Sequence, residues 1–213
     1  MNVWLDEVPS LDTPNLRDVQ QISGDTLNRL AADRKLLTRL VDEILHDPER
    51  LANSRSTLLL NRLSLYQAPE RGFEVHLNLN VRPDNQRAPH DHCYTFATRI
   101  LTGGYVHVVR LRTDTGSGAF SERNLEPGIV TIEHPGSAYT LGHSMVHQAA
   151  MEPGSVTLCV RGPRRKATAE LMPPSDAWPA PAEPGAEIAE SRPMNEHEYR
   201  LTRSWLFLHD LID

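Results

Sequence analysis

From about residue 57 onward, apolar and polar residues alternate in short runs. Successive side chains on a strand point to opposite faces, so each run predicts a strand with one face buried. The predicted strands cover residues 58–66, 73–81, 94–101, 105–111, 129–133, 137–141 and 155–161. Turn sequences such as Glu-Pro-Gly and His-Pro-Gly separate them. Many short strands with such turns favour a sandwich or small barrel over a βαβ fold.

A helical spacing precedes the strands. Apolar residues recur at intervals of three, four and seven, which predicts an amphipathic helix. The members of this stripe are Leu27, Leu30, Leu37, Leu40, Val41, Ile44 and Leu45. Ser23 or Asp25 is a suitable N-cap, and we expect Pro48 to end or kink the helix. Residues 1–21 are predicted to form an irregular arm, and residues 49–53 a short turn.

The end of the chain combines a proline-rich stretch with a second helical pattern. Residues 173–193 hold six prolines among Ala, Glu and Ser, a composition typical of linkers. Helical spacing returns at Leu201, Trp205, Leu208 and Ile212, and we expect this stripe to pack on the protein's own barrel rather than form a dimer contact or a lid. The predicted organisation is an arm and helix at 1–56, a β-barrel at 57–172, a linker at 173–193 and a helix at 194–213.

Composition narrows the classes of function. The 213 residues suit one domain, and the net charge of −6 gives no general attraction to nucleic acid or an anionic membrane. No apolar run is long enough to span a bilayer, and the first residues lack a signal-peptide pattern, so we expect a cytoplasmic protein. Cys93 and Cys159 are expected to be free thiols.

The candidate chemistry lies in the ten histidines. His90 and His92 are two residues apart, so on a strand both rings face the same side while Asp91 faces the other. Two imidazoles that point into a barrel can share one cation. Other histidines, such as His107 and His134, have no evident partner, and we expect them on the surface.

The residues around this pair resemble the first motif of the cupin family, with His90 and His92 followed by the glycine pair at 103–104. The stretch His-Pro-Gly-Ser-Ala-Tyr-Thr-Leu resembles the second motif and places His147 eight residues after Tyr139, where such cupins carry another metal ligand. The resemblance implies a mainly β fold, a cupin-type double-stranded β-helix (jelly-roll barrel), here with an N-terminal helical segment and a C-terminal helix.

One departure from the family narrows the resemblance. The position of the family's metal-binding glutamate falls at Phe96 or Ala97, and neither side chain binds a metal. The ligand set that remains, His90, His92 and His147, resembles the three-histidine cysteine dioxygenase branch. That resemblance implies Fe(II) as the cofactor, with Zn, Ni or Mn as alternatives, because imidazole binds several first-row metals.

The same resemblance suggests how a substrate is held. Arg62 lies on a strand before the histidine pair, as does the arginine that binds the substrate carboxylate in cysteine dioxygenases; a surface ion pair is the equal alternative. A guanidinium binds a carboxylate in a bidentate fork. His76 and Asn78 would contact substrate if the polar face of their strand lines the cavity, and strand alternation leaves that face undecided.

Two further residues are candidates for catalysis. Tyr94 shares the parity of the histidine ligands and would offer a hydroxyl to the cavity. His143, four residues before His147, is either a fourth ligand or acid–base group, or a histidine on the barrel rim. Cys93 directly follows the second ligand, too early for the cysteine that is cross-linked to tyrosine in cysteine dioxygenases, and is expected to be a small buried side chain.

The predicted function is therefore an O2-dependent dioxygenase that oxidises a small carboxylate-bearing amino acid or thiol acid. The alternatives are a metal-dependent lyase, isomerase or hydrolase in which the ion is a Lewis acid, and a ligand-binding cupin without catalysis. The expected partners are a small-molecule substrate and O2, without nucleic acid or membrane. A homodimer is an option, because many cupins dimerise.

Overall fold

The computed structural model describes residues 4–85, 88–173 and 191–213, and strands dominate these ranges. The helices are α1 (Leu16–Ala32), α2 (Arg34–Asp42), α3 (Pro48–Asn53) and α4 (Glu196–Leu208). The strands are β1 (Arg55–Ser56), β2 (Leu60–Ala68), β3 (Phe73–Asn80), β4 (Asp84–Asn85), β5 (Tyr94–Thr102), β6 (Tyr105–Leu111), β7 (Ile129–Glu133), β8 (Ala138–Leu141), β9 (Met145–Met151), β10 (Val156–Arg164) and β11 (Arg192–Pro193).

The strands form two sheets in which every pairing is antiparallel. One sheet has seven strands in the order β11-β1-β2-β3-β10-β5-β8, and the other has four in the order β4-β9-β6-β7. Neighbours in these orders are mostly distant in sequence, as in a double-sheet jelly roll. The predicted fold class is confirmed: a mainly β, cupin-type jelly roll with helices at its N-terminal and C-terminal ends.

The strand predictions hold to within a few residues, because glycine and proline mark the turns. Gly72 and Gly103 both adopt positive φ, at 66° and 73°, in tight turns between successive strands. A Cβ at residue 103 would lie 2.6 Å from the backbone of Ser155, so the close approach of the chains there requires glycine. β9, which carries His147, was not predicted as a separate strand.

The N-terminal helix prediction is wrong in its bounds. Helix α1 begins at Leu16 rather than near residue 23, because the Asn15 side chain accepts a hydrogen bond from the Arg17 amide. The continuous helix divides at Asp33, whose carboxylate accepts from the Leu36 amide and starts α2. All the predicted stripe residues are nevertheless buried or packed against the core.

The turn predicted after Pro48 is also a helix. Pro48 is the first residue of α3, where its missing amide hydrogen costs nothing, and the Asp47 carboxylate accepts from the next two amides. The predicted linker at 173–193 lies almost entirely outside the described residues. Within the described ranges, none of the helices has the length and apolar character needed to cross a bilayer.

The main hydrophobic core lies between the helices and the seven-stranded sheet, outside the barrel. On β3, Val75, Leu77 and Leu79 point toward the helices and are buried in this core. The alternate residues, including His76 and Asn78, point into the barrel and line its cavity. The polar face of β3 therefore lines the cavity, whose wall also contains apolar side chains such as Phe96 and Met151.

The outer face of the smaller sheet has no helix over it in the described structure. Val106 and Ile132 are directly paired across β6 and β7 and are 45% and 75% exposed, and Val130 beside them is 64% exposed. On the same strands His107 and Tyr105 point inward and are buried. The alternation of β6 thus separates an apolar outer surface from a polar inner one.

Helix α4 docks on the helical layer, and the predicted stripe is only partly correct: Trp205 packs against the core and Ile212, beyond the helix, is buried in it. Leu201 and Leu208 are exposed, whereas Tyr199, Thr202 and Leu206 are buried. The buried face includes two polar residues, which the apolar stripe could not identify. The Tyr199 hydroxyl donates to the Val41 carbonyl at 2.7 Å, and the Asn61 amide donates to the Thr202 hydroxyl at 2.9 Å.

The pH dependence of stability tests the contacts of Glu198 at the start of α4. Glu198 accepts from the Asn195 amide in a capping box, and its hydrogen bond with Arg192 lowers its pKa to about 2. An unfolded glutamate has a pKa of about 4.3, so the ionised carboxylate stabilises the fold above that pH, and the contribution is lost as the pH falls toward about 2.

We therefore expect Glu198→Gln to lower the free energy of unfolding at pH 7 but to change it little at pH 2. Urea denaturation followed by circular dichroism measures both values. Glu196→Gln, an exposed site in the same turn, is the control. An equal loss for Glu198→Gln at both pH values would contradict the assignment.

Candidate metal centre and its cavity

The candidate metal centre is assembled by a pairing between two distant segments. His90 and His147 lie opposite each other in an antiparallel bridge. The His90 amide donates to the His147 carbonyl at 3.0 Å, and the His147 amide donates back at 2.8 Å. This pairing places both rings on the same side, with their centroids 4.5 Å apart.

His92 completes the group two residues further along. Its Nε2 lies 2.8 Å from His147 Nε2. The ligand atoms of His90, His92 and His147 all lie within 4.8 Å of one another, and among the described residues this is the one group with that geometry. The prediction that the three rings converge is confirmed as geometry.

A histidine that binds a metal ion must be neutral, and all three rings meet this condition. Burial lowers the pKa of His90, and burial together with the neighbouring rings holds the pKa of His92 and His147 well below the ordinary value. The imidazoles are therefore neutral near pH 7. A neutral imidazole keeps one nitrogen lone pair for a cation.

A hydrogen-bond chain determines which nitrogen of His147 faces the site. His147 Nδ1 lies 2.9 Å from His107 Nε2, and His107 Nδ1 lies 3.5 Å from Glu133 Oε1. The Thr131 hydroxyl donates to the same carboxylate oxygen at 2.6 Å. His107 Nδ1 makes no hydrogen bond in the described structure, but the carboxylate beside it favours a hydrogen on that nitrogen, so His107 Nε2 accepts from His147 Nδ1. His147 Nε2 is left as the free lone pair.

The prediction that His107 lies on the surface is wrong. Its side chain is fully buried, and its position behind His147 is that of an orienting partner for a metal-ligating histidine. The signal was present in the sequence, since Tyr105 and His107 alternate with valines and so share one face of β6.

His90 is oriented by the backbone. Its Nδ1 lies 3.3 Å from the Ala88 carbonyl, which can only accept, so Nδ1 carries the hydrogen and Nε2 carries the lone pair. His90 and His147 therefore present unprotonated Nε2 atoms to one region, His92 Nε2 lies in the same region, and no carboxylate lies in the group.

One pair of this donor set has the spacing that binding to one first-row transition metal ion requires. Two imidazole nitrogens held at about 2.1 Å from one ion at a right angle are about 3.0 Å apart. The 2.8 Å between His92 Nε2 and His147 Nε2 is close to that spacing. Imidazole suits iron, zinc, nickel and copper, so the geometry does not select among them.

Asp91 anchors the segment that carries two of the histidines. It points away from the cavity, as predicted, and is fully buried. Its carboxylate bonds Arg112 at 2.9 Å, accepts from the Glu170 amide at 2.8 Å and forms an ion pair with Lys166. Asp91 therefore stabilises the segment from one face, and the candidate ligands His90 and His92 lie on the other face.

The histidine group lies in the wall of a cavity of about 170 Å³ inside the barrel. Arg62, His76 and Asn78, the predicted substrate-binding residues, all line it. Arg62 Nε donates to Asn78 Oδ1 at 3.1 Å, because the two residues are direct partners across β2 and β3. The structure therefore brings these three side chains to the same cavity as the histidines.

The two predicted catalytic side chains beyond Arg62 differ in position. Tyr94 lines the cavity with its ring centroid 5.8 Å from that of His92. His143 lies in the turn between β8 and β9, half-buried, and is neither in the three-histidine group nor among the residues that line the cavity. Its catalytic role remains a prediction.

Several cavity residues had no predicted role. The Tyr105 and Tyr139 hydroxyls lie 2.6 Å apart, and burial raises the pKa of both, so both stay protonated. Phe96 packs edge-on against His92 with ring centroids 4.7 Å apart. Cys159 also lines the cavity, and both cysteines are free, as predicted.

Comparison with solved structures gives distant likenesses that each cover about half of this chain. KdgF from Halomonas sp. is 19% identical over 51% of this chain and 83% of its own, with a TM-score of 0.36. An RmlC-like cupin from Shewanella frigidimarina is 14% identical over 52% of this chain and 87% of its own, also with a TM-score of 0.36.

Hydroxypropylphosphonic acid epoxidase from S. wedmorenis is 11% identical over 52% of this chain and 56% of its own, with a TM-score of 0.36. No protein-family model and no curated protein matches the sequence. The fold assignment consequently depends on the sheet topology, and the account of the site depends on this chain's own residues.

The hydrogen bond from His147 to His107 leads to a prediction about metal affinity. Removal of an outer partner of a histidine ligand lowers metal affinity by about 10–100-fold. We expect that loss for Zn(II) in His107→Phe, and a smaller one in Glu133→Gln, which keeps the histidine. Competition with a chromogenic chelator measures it, with the exposed His134→Gln as control. Unchanged zinc affinity in both variants would contradict the role of His107 and Glu133 in orienting His147.

The buried carboxylate of Asp91 leads to a prediction about stability. Asp91→Asn leaves Arg112 and Lys166 without their buried partner, and breaking such a pair costs about 3–5 kcal/mol. Urea denaturation at pH 7 should show that loss. Asp114→Asn removes a more exposed partner of Arg112 and should cost about 1 kcal/mol or less. Similar losses in the two variants would show that Asp91 has no special role.

Proposed function

We propose that the protein is a mononuclear non-haem Fe(II) dioxygenase that oxidises a small carboxylate-bearing substrate with O2. The observation that carries the proposal is the convergence of three neutral imidazoles without a carboxylate in the wall of a cavity. Bound iron would supply O2 activation. Because the three ligands are neutral, the ion would keep its full charge and attract an anionic substrate.

The histidines have one task in this proposal, which is to hold the ion through defined nitrogens. His147 is oriented by His107, and His90 is oriented by the Ala88 carbonyl. His92 is packed against Phe96, one of the two residues at which the resemblance places the family's carboxylate ligand. The three histidines would hold the ion, and the cavity beside them would hold the substrate.

Arg62 is the proposed carboxylate-binding residue. Its Nε is occupied by Asn78, which fixes the guanidinium, and within the described part of the chain Arg62 forms no ion pair with an acidic side chain. The terminal nitrogens can therefore bind a carboxylate in a bidentate fork. A substrate held at this wall of the cavity would direct its other end toward the histidines.

Tyr94 is the proposed proton-holding residue at the cavity wall. Its ring lies between His92 and Arg161, whose guanidinium carbon is 4.6 Å from the ring centroid. The hydroxyl can donate to, or accept from, a polar group of the substrate. The buried Tyr105 and Tyr139 pair also lines the cavity and, because both hydroxyls stay protonated, adds no charge there.

Metal analysis of protein purified without added metal, followed by O2 uptake with a panel of amino and thiol acids, tests the proposal. We expect about one equivalent of iron per chain, and substrate-dependent O2 uptake. His92→Ala should lose metal and uptake together, whereas His134→Ala should retain both.

Arg62→Gln separates binding of the substrate from binding of the metal. Loss of a charge-assisted hydrogen bond should raise KM by about tenfold or more while metal content is unchanged. Bound zinc or nickel with turnover in the absence of O2 would instead indicate Lewis-acid chemistry. Protein that retains no metal and binds ligands without turnover would contradict both enzymatic assignments.

A further inference from the structure

A second, larger cavity of about 600 Å³ adjoins the first. The two share Arg62, His76, Tyr94 and Arg161 in their walls, so these side chains lie where the two cavities meet. We call the outer cavity the vestibule. Arg55 and Arg164 line the vestibule but not the inner cavity, so they mark the part of the vestibule that is farther from the histidines.

The vestibule is basic in a protein whose net charge is −6. Four arginines line it, against two glutamates, Glu49 and Glu74. Glu74 is already committed, because it pairs with both Arg161 and His76. Glu49 forms no ion pair within the described ranges. The positive charge of the vestibule is therefore only partly balanced by the protein itself.

Arg55 and Arg62 concentrate this charge. They are direct partners across the antiparallel pair β1 and β2, so their side chains leave the sheet on the same face. Like charges placed directly opposite each other on a sheet are unfavourable. In the described structure neither guanidinium has a carboxylate partner, and a bound anion would relieve the repulsion.

His76 offers an unoccupied hydrogen-bond acceptor in the wall that the two cavities share. Its Nε2 lies 3.0 Å from Glu74 Oε2, and burial lowers its pKa to about 4, so the neutral ring donates to the carboxylate. Its Nδ1 is then an acceptor. That atom is buried, has no hydrogen-bond partner among the described residues, and belongs to a side chain that lines both cavities.

We propose that the vestibule binds a second acidic group of the substrate, so that the substrate is a small dianion with a hydroxyl or amino group between its two acidic ends. One acidic end lies at Arg62 near the histidines, and the other lies at Arg55 in the vestibule. The group between them donates to His76 Nδ1. This inference rests on the proposed function for the inner end of the substrate.

The probe is malate, compared with 3-hydroxybutyrate, which keeps the hydroxyl but lacks the second carboxylate, and with succinate, which lacks the hydroxyl. Isothermal titration calorimetry on Zn(II)-loaded protein measures binding without turnover, because zinc has no redox chemistry. We expect malate to bind about tenfold more tightly than 3-hydroxybutyrate and about fivefold more tightly than succinate.

Arg55→Gln is the decisive variant. It should abolish the advantage of malate over 3-hydroxybutyrate while leaving 3-hydroxybutyrate binding unchanged, and the exposed Arg123→Gln should change neither. Equal binding of malate and 3-hydroxybutyrate, or an equal effect of Arg55→Gln on both, would overturn the second acidic site. Equal binding of malate and succinate would overturn the role of His76.

These outcomes are separate from the failure of the proposed function. Absence of O2 uptake contradicts the oxidation but leaves the titrations of the zinc form intact. If the protein retains no zinc, the same titrations on metal-free protein decide the inference through the effect of Arg55→Gln. A single carboxylate bound at Arg62 with normal O2 uptake, and no gain from a second, supports the function and contradicts the inference.

Discussion

The antiparallel pairing of His90 with His147 is the interaction on which the candidate site depends. Two backbone hydrogen bonds join segments from different parts of the chain and place both rings over one point. Backbone pairing is set by the sheets as a whole, so the spacing of the rings does not depend on flexible side chains. The side-chain hydrogen bonds at His107 and Ala88 then only rotate the rings and select their tautomers.

Local patterns in the sequence predict most of the strands, because alternation and turn residues act within a few positions. They predict the helices less well. The start of α1 depends on the Asn15 side chain, and the break at Asp33 depends on another cap, so both bounds are decided by single side chains rather than by the apolar stripe. The buried face of α4 was missed because Tyr199 and Thr202 find polar partners that only the tertiary structure supplies.

The histidine triplet could be predicted from spacing and family resemblance, whereas its surroundings could not. The role of His107 was missed because its partner His147 lies on β9, which is separated from β6 by two strands in the sequence but is next to it in the sheet. The inward direction of His76 and Asn78 was undecidable, since a strand with one polar face reads the same whether that face meets solvent or a cavity. The position of Arg55 opposite Arg62 depends on the register of a two-residue strand, which has no recognisable pattern.

The apolar core of this protein lies between the helices and the outer face of the larger sheet, and the candidate site lies in the cavity inside the barrel, among polar and apolar side chains. The residues that stabilise the fold and the residues of the candidate site therefore lie on opposite faces of the same strands. Replacement of a lumen side chain such as Asn78 leaves the packing of Leu77 and Leu79 intact. Successive substitutions in the cavity can therefore change the substrate specificity of this fold while each intermediate sequence stays stable enough to fold.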